Sequence, residues 1–248
     1  MESLKHYRSP PDLLAQRVIL VTGAAEGIGR AAARAYAAHG ATVVLLDKAV
    51  ARLETLYDEI EQAGHPQPAI YPMDLAGAQP NHYRELAAAL RKQLGRLDGM
   101  LHNAAILGVL SPLEHYDAET WFRVMQVNLH APFLLTHACM PLLRAAPDGS
   151  VVFVSDRVGR QGRAYWGAYG ASKFGLEGLM QSLADELENE RHLRVNSVDP
   201  GVVNTRLRNQ AYPGEDPGIR AAPESVVPAL LYLIGPDSRG VTGRAFDA

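Results

Sequence analysis

Short apolar runs rich in valine, isoleucine and leucine alternate along the chain with longer stretches whose apolar residues recur every three or four positions. The runs lie at 17–22, 41–46, 68–71, 98–101, 150–155, 193–198 and 241–246. A run that is apolar at every position, such as Val18-Ile19-Leu20-Val21, fits a strand buried on both faces, as the strands of a parallel sheet are. The helical stretches lie between the runs: one ending near 39, then 50–63, 79–94, 117–143, 166–190 and 223–233. Alternation of this kind predicts an α/β fold, a single Rossmann-like doubly wound parallel sheet of seven strands with helices on both faces. The chain reads as one domain over 1–248. It has an N-terminal extension at 1–16 and an irregular, proline- and glycine-bearing stretch at 206–222 that is expected to shape a substrate site.

In such sheets ligands bind beyond the C-terminal ends of the strands. Gly23, Asp47, Asp74, Asn103, Asp156 and Gly201 all fall at those ends. The first strand runs into Gly23-Ala24-Ala25-Glu26-Gly27-Ile28-Gly29 and then a helix. Glycines there let the backbone approach a pyrophosphate, and the helix start offers free N–H groups. The spacing is G-x-x-x-G-x-G, and a glycine turn without a ligand is the plain alternative. Asp47 ends the second strand some twenty positions on, where a carboxylate can accept from an adenosine ribose; capping of the next helix is its alternative role.

Tyr169 and Lys173 are spaced i, i+4 and share one face of the 166–190 helix. A cation roughly 4 Å from a phenol, at an effective dielectric of ~20, favours the phenolate by about 4 kcal/mol. That is enough to bring Tyr169 toward neutral pH and make it an acid/base group. An exposed pair on a solvated helix has the same pattern. Asn128 sits in an otherwise apolar helical stretch and needs bonding partners there. His130 and His137 have no Cys or carboxylate beside them at ligand spacing, so no metal site is expected.

Composition narrows the function classes. The formal net charge is −3, which speaks against a nucleic-acid or anionic-membrane surface. Cys139 is the one cysteine, so no intramolecular disulfide forms, in keeping with a reducing cytoplasm. Met1 to Pro11 lacks the apolar core of a signal peptide, and no apolar run reaches the length of a membrane span.

Five motifs together, Thr22-Gly23-x-x-x-Gly27-x-Gly29, His102-Asn103-Ala104-Ala105, Asn128, Tyr169-x-x-x-Lys173 and Pro200-Gly201-x-x-x-Thr205, resemble the short-chain dehydrogenase/reductase family in order and spacing. The resemblance implies hydride transfer between a nicotinamide cofactor and a carbonyl or alcohol carbon of a small molecule. It casts Tyr169 as general acid/base. Lys173 lowers the phenol pKa and holds the nicotinamide ribose, and Asn128 anchors a water leading to Lys173. It assigns cofactor contacts to Gly23, Ala25, Glu26, Gly27, Ile28, Gly29, Asp47, Asp74, Leu75, Asn103, Ala104 and Ala105, to Tyr169 and Lys173, and to Pro200, Gly201, Val203 and Thr205.

The chain departs from the family pattern at Ala105, where glycine is usual, and beyond Phe246-Asp247-Ala248, where an Asp-Gly-Gly turn usually follows. The third departure is chemical. The family's serine thirteen residues before the tyrosine is Asp156 here, and Ser155 stands one position early. An ionised Asp cannot donate to a substrate oxygen. The alternative reading is therefore an NAD(H)-binding sensor or interaction protein with lost or altered catalysis. Asp47 and Glu26 point to NAD rather than NADP, with Lys48 next to Asp47 pointing the other way. The glycines of the 166–190 helix suggest a homodimer or homotetramer. Arg157, Arg160 and Arg163 are candidates to meet an anionic substrate group, with a solvated loop as the alternative.

Overall fold

A computed structural model describes residues 4–248; residues 1–3 of the N-terminal extension lie outside the described residues. Seven strands form one parallel sheet: β1 (Val18–Thr22), β2 (Thr42–Asp47), β3 (Ala69–Pro72), β4 (Gly99–His102), β5 (Gly149–Val154), β6 (Leu193–Asp199) and β7 (Ala245–Asp247). Their spatial order is β3-β2-β1-β4-β5-β6-β7, the doubly wound arrangement expected from the alternation. The helices are α1 (Gly27–Ala38), α2 (Val50–Gln62), α3 (Pro80–Gln93), α4 (Ala118–Met125), α5 (Ala131–Ala145), α6 (Gly167–Glu186), α7 (Arg206–Ala211) and α8 (Val227–Ile234).

The all-apolar strands are buried on both sides because successive side chains point to opposite faces. Ile19 and Val21 of β1 join a core layer with α1, α2 and α8. Val18 and Leu20 join the other layer, with α3, α5 and α6. Leu13 and Leu14 of the N-terminal extension are buried in the first layer. Tyr7 packs edge-on against Tyr232, with ring centroids 5.3 Å apart, and donates to Asp237 at 2.7 Å.

Five boundaries differ from the sequence expectation, one of them that of the last helix, expected from 223, which begins as α8 at Val227 after a 3-10 turn over Pro223–Val226. The continuous helix over 117–143 is interrupted by a π turn at Gln126–His130. There the Ala131 N–H bonds the Gln126 carbonyl five residues back, and Pro132 has no N–H with which to resume the α ladder. The 166–190 helix ends at Glu186. The irregular stretch 206–222 contains α7, capped by the Thr205 hydroxyl accepting from the Arg208 N–H at 3.1 Å. Strand 241–246 shortens to β7, because side chains hold the segment before it: Asn196 donates to the Val241 carbonyl at 2.7 Å and accepts from the Arg244 N–H at 3.1 Å.

A charged hub ties the sheet's N-terminal edge together. Asp148, just before β5, pairs with Arg17 before β1, with Arg194 of β6 at 2.5 Å and with Arg239 at 3.3 Å. Arg194 also donates to the Gly235 carbonyl at 2.6 Å and to Ser238 at 2.7 Å. No helix among the described residues is long and apolar enough to cross a membrane, and no three His, Cys, Asp or Glu side chains among them gather as a metal site.

Candidate active site

The C-terminal strand ends open into one cleft of about 520 Å3. Its cofactor side begins at the glycine turn. Gly23 has a φ of +67°. A Cβ on it would lie 2.8 Å from Asn103 Nδ2 and 3.0 Å from Ala104 Cα, so the β1 and β4 ends approach each other only through glycine. Glu26 precedes α1 without capping it by its side chain, and Gly27 and Ile28 border the cleft, so the first turn of α1 faces it uncapped. Asp47 ends β2; its carboxylate accepts from the Ala25 N–H at 3.3 Å and the Ala49 N–H at 3.0 Å. It therefore fastens the glycine turn and starts the next segment while bordering the cleft.

Asp74, Leu75, Asn103, Ala104, Ala105, Pro200, Gly201, Val203 and Thr205 border the cleft as well. Two expected contacts do not. The Ala25 side chain is buried behind the turn, and Gly29 lies beneath Gly23, whose carbonyl a Cβ there would overlap. Both shape the turn from behind. Ala105, where the family has glycine, takes its place in the lining. The cradle of glycines, the open helix start and the carboxylate at the end of β2 fit a dinucleotide.

The reacting end is built from β5, its following loop and α6. Tyr169 is 4% exposed and donates to Asp156 Oδ2 at 3.1 Å. Asp156 Oδ1 accepts from the Val158 N–H at 3.0 Å, so both carboxylate oxygens receive donors. Lys173 Nζ donates to the Val154 carbonyl at 2.7 Å and lies 5.6 Å from the Tyr169 ring centroid. The expected fall of the phenol pKa is reversed. Burial pushes Tyr169 well above the usual phenol value, and the charges of Asp156 and Asp199 push it further. Lys173 is pulled down to about 8 by burial, against the upward pull of Asp156, Glu177 and Asp199.

Asn128 lies in the π turn. Its amide closes on Ile106, accepting from the N–H and donating to the carbonyl at 2.9 Å each, and donates to Ser172 Oγ at 3.1 Å. It thus fixes the loop after β4 against α6, one residue from Lys173, and does not itself border the cleft.

The family model for short chain dehydrogenases matches residues 17–216. The chain belongs to the short-chain dehydrogenase family. It is 46% identical over 243 residues to the uncharacterized oxidoreductase YciK of Escherichia coli K12, covering 98% of this chain and 96% of that one. A chain from Pseudomonas syringae, solved as a candidate short chain dehydrogenase, is 55% identical with a TM-score of 0.95, covering 97% and 98% of the two chains. Another candidate member, from Escherichia coli CFT073 and complexed with NADPH, is 46% identical with a TM-score of 0.93, covering 96% and 99%.

Within this short-chain dehydrogenase, the cleft-wall side chains with no individual assignment from sequence include Leu107, Trp166 and Tyr212. Trp166 stands 5.6 Å from Tyr169 and 5.9 Å from Tyr212, centroid to centroid. Its position three residues before Tyr169, one helical turn away, was the available signal. Tyr165 before it has a φ of +72°, rare for a bulky residue, and the Ser111 N–H holds its carbonyl at 3.1 Å.

The arginine loop does not line the cleft. Arg160 is spent on Glu177 at 3.0 Å, Asp247 at 2.6 Å and the Phe246 carbonyl at 2.9 Å, and Arg163 donates to the Tyr212 hydroxyl at 2.7 Å. The arginines bordering the cleft are Arg123, Arg206 and Arg208.

The burial of Lys173 has a stability signature. The unfolded chain keeps this proton up to about pH 10.4, whereas the folded chain releases it near 8. Below about 8 both states are protonated and the desolvation cost is fully present; above it the unfolded state holds more protons and stability rises with pH. Relative to Lys173→Met, the parent should gain about 1–2 kcal/mol in urea denaturation between roughly pH 7.5 and 9.5. Cys139, whose thiol burial pushes to about 12, acts in the opposite sense in both proteins and cancels in the difference. A flat difference would show that Lys173 does not carry this cost.

Proposed function

We propose that the protein transfers hydride between NAD(H) and a carbonyl or alcohol carbon, with Tyr169 as general acid/base and Lys173 beside it, residues 1–248 acting as one catalytic unit. The supporting observation is that buried Tyr169 and Lys173 border the same cleft as the glycine turn and Asp47. The bound nicotinamide supplies or accepts the hydride. The first turn of α1 would hold the pyrophosphate, Asp47 the adenosine ribose, Asp74 and Leu75 the adenine surroundings, and Lys173 the nicotinamide ribose. Residues 206–222, including α7, would shape the substrate end.

Tyr169, with its pKa raised, keeps its proton and is suited to give it to a substrate atom. A second reading, cofactor binding with lost or altered catalysis, is favoured by one observation: the phenol proton is already directed at Asp156. Tyr169→Phe should lower kcat on the best substrate by about 10²–10⁴, far more than it weakens cofactor binding in a titration. Undiminished turnover in that variant would remove Tyr169 from its role. Tight cofactor binding without turnover of any carbonyl, alcohol or imine by the parent would favour the second reading.

NAD(H) is the proposed cofactor, although the related CFT073 structure holds NADPH. The Asp47 carboxylate would repel a 2′-phosphate. The nearby cations are engaged, Lys48 by Asp74 at 3.8 Å and Arg52 by Glu26. NADH should bind at least about tenfold tighter than NADPH, a difference of about 1.4 kcal/mol, and Asp47→Ser should remove the preference. Equal or tighter NADPH binding by the parent would refute the assignment.

Self-association as a homodimer or homotetramer in the cytoplasm completes the proposal. Phe122 of α4, Phe133 of α5 and Phe174 of α6 are 69%, 48% and 45% exposed. Gly178 of α6 has open space before it, whereas Gly175 is already filled by Leu129 of the same chain. Sedimentation showing only monomer at micromolar concentration would count against association.

A further inference from the structure

We infer that the substrate reacts at a carbon bonded to a positively charged nitrogen, an amine oxidised to an iminium or an iminium reduced to an amine, and that Asp156 is the residue that selects it. The inference rests on the hydride-transfer reading above and names the substrate class of that same site.

The geometry around Asp156 suits a cation and not an oxyanion. Its two oxygens accept from Tyr169 and from the Val158 N–H. Beside it, Ser155 borders the cleft with a fully buried Oγ that has no hydrogen-bond partner. A protonated nitrogen brings N–H donors and no acceptor. Asp156 presents acceptors to such a group, whereas the buried Ser155 hydroxyl, which can donate as well as accept, does not discriminate. Asp199 adds negative charge close enough to act on both Tyr169 and Lys173. The neighbouring wall is aromatic and apolar, with Trp166, Tyr212 and Leu107. Aromatic faces favour cations, and Tyr212 already carries the Arg208 guanidinium 3.8 Å from its ring centroid. That arginine is neutralised by a two-pronged pair with Glu215, at 2.8 and 2.9 Å.

The chemistry is balanced without further reagents. In the reducing direction, with NADH as reductant, the iminium carbon accepts the hydride, the C=N π pair becomes the nitrogen lone pair, and the amine then takes one proton from Tyr169, which is reprotonated from solvent. A neutral imine is a poor hydride acceptor until protonated. A carboxylate beside the nitrogen raises its proton affinity, so Asp156 would keep the reactive form populated. Against a ketone the same charge works in reverse, because the oxygen becomes negative as hydride arrives.

Isothermal titration with matched probes tests the inference without turnover. The probes are benzylamine against benzyl alcohol and 1-aminotetralin against 1-tetralol, added to the parent, Asp156→Asn and Asp156→Ser in the presence of NADH. The parent should bind the ammonium member of at least one pair tenfold or more tighter than its alcohol, and both variants should lose that preference. Equal affinity within both pairs for the parent, absence of binding included, overturns the inference, as does a preference that survives in Asp156→Asn. Ketone reduction and amine-dependent NAD+ reduction are then assayed on the same proteins. Ketone turnover by Asp156→Ser without a cation preference in the parent leaves the oxidoreductase reading and removes this one. A cation preference with no turnover by any of the three proteins does the reverse.

Discussion

Asp156→Ser should raise the turnover of simple ketones by about a hundred- to a thousandfold over the parent. A hydroxyl at this position can donate to the substrate oxygen as negative charge develops, and removal of such a donor typically costs ~2.7–4 kcal/mol of barrier. The parent presents a carboxylate that accepts from Tyr169 and the Val158 N–H and has no proton to give. The substitution also removes one of the charges that push the Tyr169 phenol upward. The apparent pKa in the pH profile of alcohol oxidation should therefore shift down in Asp156→Ser. Steady-state kinetics over a panel of ketones, with the pH profile for the corresponding alcohols, measures both. A parent already as fast as the variant would show that the carboxylate is no obstacle.

The second large effect concerns the far end of the sheet. Asp148 is the shared acceptor for Arg17 and Arg194, whose side chains are nearly as buried as its own. Removing one partner of a buried pair leaves an uncompensated charge and costs about 3–5 kcal/mol. Asp148→Ala leaves two such guanidiniums and should lose at least that in urea denaturation. Arg239→Ala should lose far less, because its side chain is 66% exposed and solvent screens the pair. Burial pushes the Asp148 carboxyl up, but Arg194 and Arg17 outweigh it and hold the pKa below the usual value. This contribution is present above the ordinary carboxylate range and is lost as pH falls through the lowered folded value. A loss under about 1 kcal/mol for Asp148→Ala would mean that Arg17 and Arg194 find other partners on relaxation.

The parts of this molecule that were legible in the sequence are those written in local pattern. Val18 to Thr22 is apolar at every position and becomes a strand buried on both faces. The glycines at 23 and 27 adopt positive φ as the turn requires, and Asp47 stands at its strand end. What was not legible depends on partners far along the chain. Arg160 looked available to a substrate, but Glu177 and Asp247, 17 and 87 positions away, claim it. The Tyr169–Lys173 spacing is right, yet their pKa values are governed by burial and by the carboxylates of Asp156 and Asp199, which helix geometry alone does not reveal. The π turn around Asn128 needed the missing amide of Pro132 to be read together with the hydrogen bonds to Ile106. Trp166 and Tyr212 meet only because α7 folds back over the start of α6.

The placement of Trp166 also gives the protein an optical probe of its own. The chain has two tryptophans. Trp121 of α4 packs edge-on against Tyr116, whereas Trp166 stands in the cleft wall beside Tyr169. Trp121→Phe would leave a single indole emitter, and that emitter borders the space a ligand enters. Its intensity and colour would then follow the polarity of the cleft itself, so filling of the site could be watched by fluorescence before any substrate is known.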